Sequence, residues 1–140
     1  MAVLLDTCAL IWLANGDPLA SGATAAIVQA GLQGGIFVSP VSAWEIGMLS
    51  RAEPGRTRPL RFQPDPKTWF ARFMAGPGIR EAPFHPDIAI DSSFLPGEVH
   101  GDPADRMIIA TARHLGVPAV TRGSKIIDYA QYGEVSVVAR

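Results

Sequence analysis

The sequence predicts an α/β fold with helices layered on a central parallel sheet. AVLL (Ala2 to Leu5) is a short, continuously apolar run, and the mainly apolar stretches IFVS (Ile36 to Ser39), PAVT (Pro118 to Thr121) and VSVV (Val135 to Val138) have the same length. Apolar runs without alternation suit strands buried on both faces, the usual situation inside a parallel sheet. Between these runs lie segments of helical length, most of them closed by Gly or Pro.

The elements follow in order. AVLL is a strand that ends at Asp6, and TCALIWLAN is a helix stopped by Gly16, Asp17 and Pro18. GATAAIVQAGLQ is a second helix, ended by Gly34 and Gly35, and IFVS is a second strand. VSAWEIGMLSRA forms a helix closed by Pro54 and Gly55. The segment Glu53 to Lys67, rich in Pro and Gly and carrying Arg56, Arg58, Arg61 and Lys67, is an extended loop within one domain. KTWFARFMA is a helix, IREAPF a strand, and PDIAIDSSFL a further helix. Pro103 to Leu115 is a helix stopped by Gly116 and Pro118. PAVT and VSVV are the last two of about five strands, with a short helix near KIIDYAQ between them.

With 140 residues, 48% apolar and 18% charged, the chain suits one compact domain with a real core. Its formal net charge is −1, so no global positive field announces a nucleic acid. Such a substrate has to be held by local basic residues or by metal ions. The single cysteine, Cys8, excludes an intramolecular disulfide and a Cys-based zinc cluster, and in its apolar run it reads as a small core residue. No stretch is long and apolar enough to span a membrane, and the start lacks the basic region of a signal peptide. A cytoplasmic protein is expected.

The chemistry concentrates in four carboxylates. Asp6 stands at the carboxyl end of the first strand, where it is either a helix N-cap or a ligand. Glu45 has Val41, Met48 and Leu49 at i−4, i+3 and i+4, so its carboxylate lies within an apolar stripe. A carboxylate placed there needs a cation, a donor or a proton. Asp102 and Asp105 suit the N-cap and third position of the helix that Pro103 opens, and acids there also complement the helix dipole. Asp105 equally heads the stripe Ile108, Ile109 and Ala112. Each acid falls at a strand's carboxyl end or early in the following helix, the region where α/β sheets bind ligands. Carboxylates gathered there repel unless a cation joins them. Oxygen ligands without Cys or paired His favour Mg²⁺ or Mn²⁺ over Zn²⁺.

The segments VLLDTCALIWL, VSPVSAWEIGML and IREAPF through TRGSKI resemble the PIN domain, and within it the VapC toxins of bacterial toxin–antitoxin pairs. The resemblance runs nearly end to end, over a single domain at 1–140. It implies a three-layer α/β/α fold, with Asp6, Glu45 and Asp105 as the main acids and Asp102 as an accessory acid. It implies a Mg²⁺-dependent endoribonuclease (Mn²⁺ being a possible substitute) that acts on tRNA or other structured RNA. It further implies inhibition by a cognate VapB-type antitoxin and assembly as a homodimer. One departure stands out: relatives often carry an acid in a T-x-D turn, where this chain has Gly123 in TRGSKI. That departure weakens a second metal position, or leaves it to Asp102, and it supports the alternative of a PIN-derived module that binds RNA or antitoxin without cutting.

Around the acids, Arg106, Arg122, Thr121 and Ser124 are candidates to contact substrate, with Lys125 beside them. Arg106 can equally pair with a carboxylate. Arg51 and the basic residues of the 53–67 loop are either RNA-phosphate contacts or a solvated surface. His100 is more simply a loop residue than a general base. Trp12, Trp44 and Trp69 read as core or dimer contacts rather than base-stacking platforms.

Overall fold

A computed structural model describes residues 2–52, 54, 59–97, 101–121, 126–127, 130 and 136–139. The chain runs β1 (Val3–Leu5), α1 (Thr7–Asn15), α2 (Ser21–Gln33), β2 (Ile36–Val38), α3 (Pro40–Leu49), α4 (Pro66–Met74), β3 (Ile79–Glu81), α5 (Pro86–Asp91), α6 (Pro103–Leu115), β4 (Ala119–Thr121) and β5 (Val137–Ala139). The five strands form one sheet in the order β3-β2-β1-β4-β5, and every pairing is parallel. This is the α/β architecture that the alternating runs predict.

Strand β1 shows why the sheet must be covered on both sides. All three of its residues are fully buried. Side chains alternate across a strand. Leu4 accordingly joins Val41, Ala82, Ile88, Ala104, Ile108 and Ile109 in the core under α3, α5 and α6. Val3 and Leu5 join Ala9, Leu10, Ala23, Ile27 and Ala30 in a second core under α1 and α2, with Trp69, Phe70 and Phe73 of α4 against it. Two cores separated by the sheet make three layers.

The strand order also locates the site. From central β1 the chain builds outward through β2 and β3, then returns to place β4 on β1's other side. The order therefore reverses beside β1, where carboxyl ends of neighbouring strands open a crevice. Asp6 follows β1 directly, and its N–H donates to the Val120 carbonyl of β4 at 3.1 Å.

Local differences from the sequence reading have local causes. Helix α5 ends at Asp91 instead of running to Leu95. The Ser92 hydroxyl takes the Ala89 carbonyl at 2.6 Å, and Arg106 Nε takes the Ser92 carbonyl at 2.9 Å, so the backbone there is diverted from further helical bonding. Cys8 is exposed rather than in the core, because Thr7 and Leu10 hold the inward line of α1 and Cys8 falls off it. Trp44 is 52% exposed and so is not a core residue, whereas Trp69 packs edge-on against Phe62 at 4.8 Å.

Helix α6 ends on Gly116 at φ 67°, with nothing within 4 Å of where a Cβ would stand. Gly116→Ala therefore tests backbone strain alone. It is expected to cost roughly 1 kcal/mol in urea unfolding. An unchanged midpoint would contradict the left-handed cap.

Candidate active site

Asp6 is 8% exposed and has both carboxylate oxygens engaged. Oδ1 accepts from the Ala9 N–H at 2.7 Å and caps α1. Oδ2 accepts from the hydroxyl of Thr121, at the end of β4. The neighbouring strand thus holds the acid that ends the central one.

Glu45 reaches the same region from α3. Its Oε1 is hydrogen-bonded to Thr7 Oγ1, and Thr7 Oγ1 lies 3.0 Å from Ser42 Oγ. A hydroxyl has one proton to donate. With Thr7 donating to the ionised Glu45, the Ser42 hydroxyl donates in turn to Thr7. Ser42 and Glu45 are three residues apart on α3, so they share a face. Ser39 caps that helix by accepting from the Val41 N–H at 3.0 Å, with Pro40 at its first position.

Helix α6 supplies the other two acids. Asp102 is exposed and is the N-cap, its Oδ1 accepting from the Asp105 N–H at 3.2 Å. Asp105 is partly buried in the first turn. Arg106, the next residue, ties α6 to the turn after α5 through the Ser92 carbonyl.

Electrostatics connects the acids. Burial pushes the Glu45 carboxyl above its ordinary range, and the Thr7 hydrogen bond partly opposes this. The negative charges of Asp105, Asp102 and Asp6 raise it further. Each of these three carboxylates is thus close enough to act on Glu45. Among the described residues, no three His, Cys, Asp or Glu side chains close into a metal-ligating group. The donor chemistry nevertheless fits a hard divalent cation: the four groups are carboxylates, and their repulsion on Glu45 is what a cation between them would relieve.

The structure thus brings Asp6, Glu45, Asp102 and Asp105 into one neighbourhood. Thr121 is fully buried, and its hydroxyl is bound to Asp6. Arg122, Gly123, Ser124, Lys125, His100, Arg56 and Arg58 lie outside the described residues. Arg51, Arg61 and Lys67 are exposed. Thr7 and Ser42 were not singled out by sequence reasoning. Their signal was present in their spacing, directly after Asp6 and three residues before Glu45.

The PIN domain pattern matches residues 3–132. No curated protein matches the chain significantly. Among solved structures, the fold resembles a chain of VapBC2 from Rickettsia felis bound to a DNA fragment from their promoter, with TM-score 0.67 and 14% identity, covering 99% of this chain and 98% of that one. A chain of DNA-bound VapBC from Salmonella typhimurium gives TM-score 0.64 at 15% identity, covering 99% and 98%. A chain of FitAcB from Neisseria gonorrhoeae gives 0.54 at 17% identity, covering 96% and 95%. At such identities these likenesses speak for the fold, while the pattern across the sequence speaks for descent: the chain belongs to the PIN-domain family.

Proposed function

We propose that this chain is the toxin of a VapC-like toxin–antitoxin pair and acts as a metal-dependent endoribonuclease. The reading is carried by Asp6 and Glu45, each held by a buried threonine hydroxyl beside the strand-order reversal, with the negative charges of Asp105 and Asp102 acting on Glu45. Asp6, Glu45 and Asp105 would hold Mg²⁺ or Mn²⁺, with Asp102 assisting. When bound, such an ion supplies activation of a water and charge stabilisation at the phosphate. The chain's own contribution is to keep its acids oriented: the Ala9 N–H and Thr121 hydroxyl fix Asp6, and the capped start of α6 positions Asp105. Arg106, Arg122, Thr121 and Ser124 are the proposed substrate-side residues. For Thr121 this means acting through the acid it holds. Structured RNA, tRNA included, is the proposed substrate, cleaved to leave 5′-phosphate ends.

The same reading includes a VapB-type antitoxin that inhibits by placing a basic side chain among these acids, a homodimer, and a cytoplasmic location. The solved structures resembling this fold include VapBC complexes. Exposed Trp44, Ile90 and Phe94 are apolar side chains that an assembly would cover. No helix among the described residues is long and apolar enough to cross a membrane.

A second reading, a PIN-derived binding module without cleavage, is favoured by Gly123 standing where relatives carry an acid. One experiment separates the two. The purified chain is incubated with a panel of tRNAs and messenger fragments across a Mg²⁺ and Mn²⁺ titration, with chelator and antitoxin arms. Cleavage that needs a high metal concentration, stops in chelator and stops on adding antitoxin is expected. RNA that is bound but stays intact at every metal concentration would establish the binding module.

A further inference from the structure

We propose that Thr7 is a positioning residue, its hydroxyl holding the Glu45 carboxylate in place with Ser42 behind it; the inference rests on the metal-dependent reading above. Four observations meet at this side chain. Thr7 is 5% exposed and Ser42 is fully buried, so water does not compete freely for either hydroxyl. Thr7 Oγ1 is bonded to Glu45 and stands 3.0 Å from Ser42 Oγ. Thr7 is the first residue of α1, the helix that Asp6 caps, so one helix end orients two acids from different elements. Thr7 also works against burial and three neighbouring carboxylates, all of which disfavour the anionic Glu45.

The residue type suits the task. The hydroxyl is buried and backed by Ser42, so it is aimed before any ligand arrives. Glutamate has three rotatable bonds and, unheld, would swing away from like charges. A hydrogen bond from a buried hydroxyl to an anion is among the stronger neutral-to-charged contacts. Ser42 matters because its own O–H, donating a hydrogen bond to Thr7 Oγ1, leaves the Thr7 O–H free to donate to Glu45. Serine at position 7 keeps the hydroxyl; valine keeps the shape and removes it.

The test compares the parent, Thr7→Val and Thr7→Ser in two measurements. Crystal structures without metal read the Glu45 side chain directly, and calorimetry with Mn²⁺ alone reads affinity. Circular dichroism and thermal melting confirm that all three fold. The expected result is Glu45 held in the parent and in Thr7→Ser but displaced in Thr7→Val. Mn²⁺ affinity should fall about tenfold or more in the valine variant only, the factor that loss of one hydrogen bond to a charged group implies. Glu45 unmoved in folded Thr7→Val overturns the proposal. So does an impaired Thr7→Ser, since the hydroxyl would then not be the active part. A parent that binds no Mn²⁺ and cuts no RNA defeats the metal-dependent reading instead, and the position of Glu45 still decides the role of Thr7.

Discussion

Glu45→Gln is expected to reduce RNA cleavage at least about a hundredfold and, at neutral pH, to stabilise the metal-free protein. The two effects share one cause. Glu45 is a carboxylate held among carboxylates, useful when a cation is bound and unfavourable when none is. Its folded-state pKa is raised from the ordinary 4.5, first by burial and then by Asp105, Asp102 and Asp6. A raised carboxyl pKa means that the folded protein binds this proton more tightly than the unfolded chain. Stability then falls as pH climbs from the unfolded value through the folded one. Glutamine is the neutral isostere and still accepts the Thr7 hydrogen bond. It should therefore recover what the charge costs above the folded pKa, and recover nothing below about pH 4.5, where Glu45 is protonated in both states. Solvent screening of this partly exposed group keeps the gain below about 1 kcal/mol, a rise in Tm of at most a few degrees. Melting curves of both proteins in chelator from pH 4 to 8 check the sign. A Glu45→Gln protein less stable than the parent at pH 8 would remove the mutual-repulsion argument.

Much of this arrangement was legible in the sequence because it rests on local rules. The buried run Val3–Leu5, the Pro at the start of α6 and the Gly after its end mark their elements without tertiary information. Asp6 and Asp102 posed a choice between helix cap and ligand, and the choice was artificial. A carboxylate has two oxygens, and Asp6 spends Oδ1 on the Ala9 N–H while Oδ2 faces Thr121. Capping orients the group and leaves its charge available.

The partners of the hydroxyls were not legible, for a physical reason. Thr121 meets Asp6 across 115 residues, and Thr7 meets Glu45 across 38, so both contacts depend on strand order. No periodicity reports that β4 lies beside β1. The end of α5 was missed for a similar reason: the side chain that takes the Ser92 carbonyl comes from Arg106, 14 residues on. Cys8 was misjudged on composition alone, since an apolar run says which segment is buried and only the helical period says which face.

The second large effect separates the charge of Asp6 from its place in the fold. Asp6→Asn and Asp6→Ala are both expected to lose RNA cleavage by at least about a hundredfold, because either removes an anionic ligand. Their stabilities should differ. Asparagine is as good an N-cap as aspartate, so its amide oxygen can keep the Ala9 N–H. Its amide N–H can face Thr121, whose hydroxyl can turn to accept instead of donate. Asp6→Asn should stay within about 1 kcal/mol of the parent. Alanine loses the cap of α1 and takes from the buried Thr121 hydroxyl its bond to a charged acceptor. The two losses together cost about 2–4 kcal/mol. Urea unfolding in chelator gives the stabilities, and end-labelled RNA gives the cleavage. If Asp6→Asn unfolds as easily as Asp6→Ala, the negative charge itself supports the fold. If Asp6→Asn folds and still cuts RNA at the parent's rate, Asp6 has no part in the chemistry and the site must be redrawn around Glu45 and Asp105.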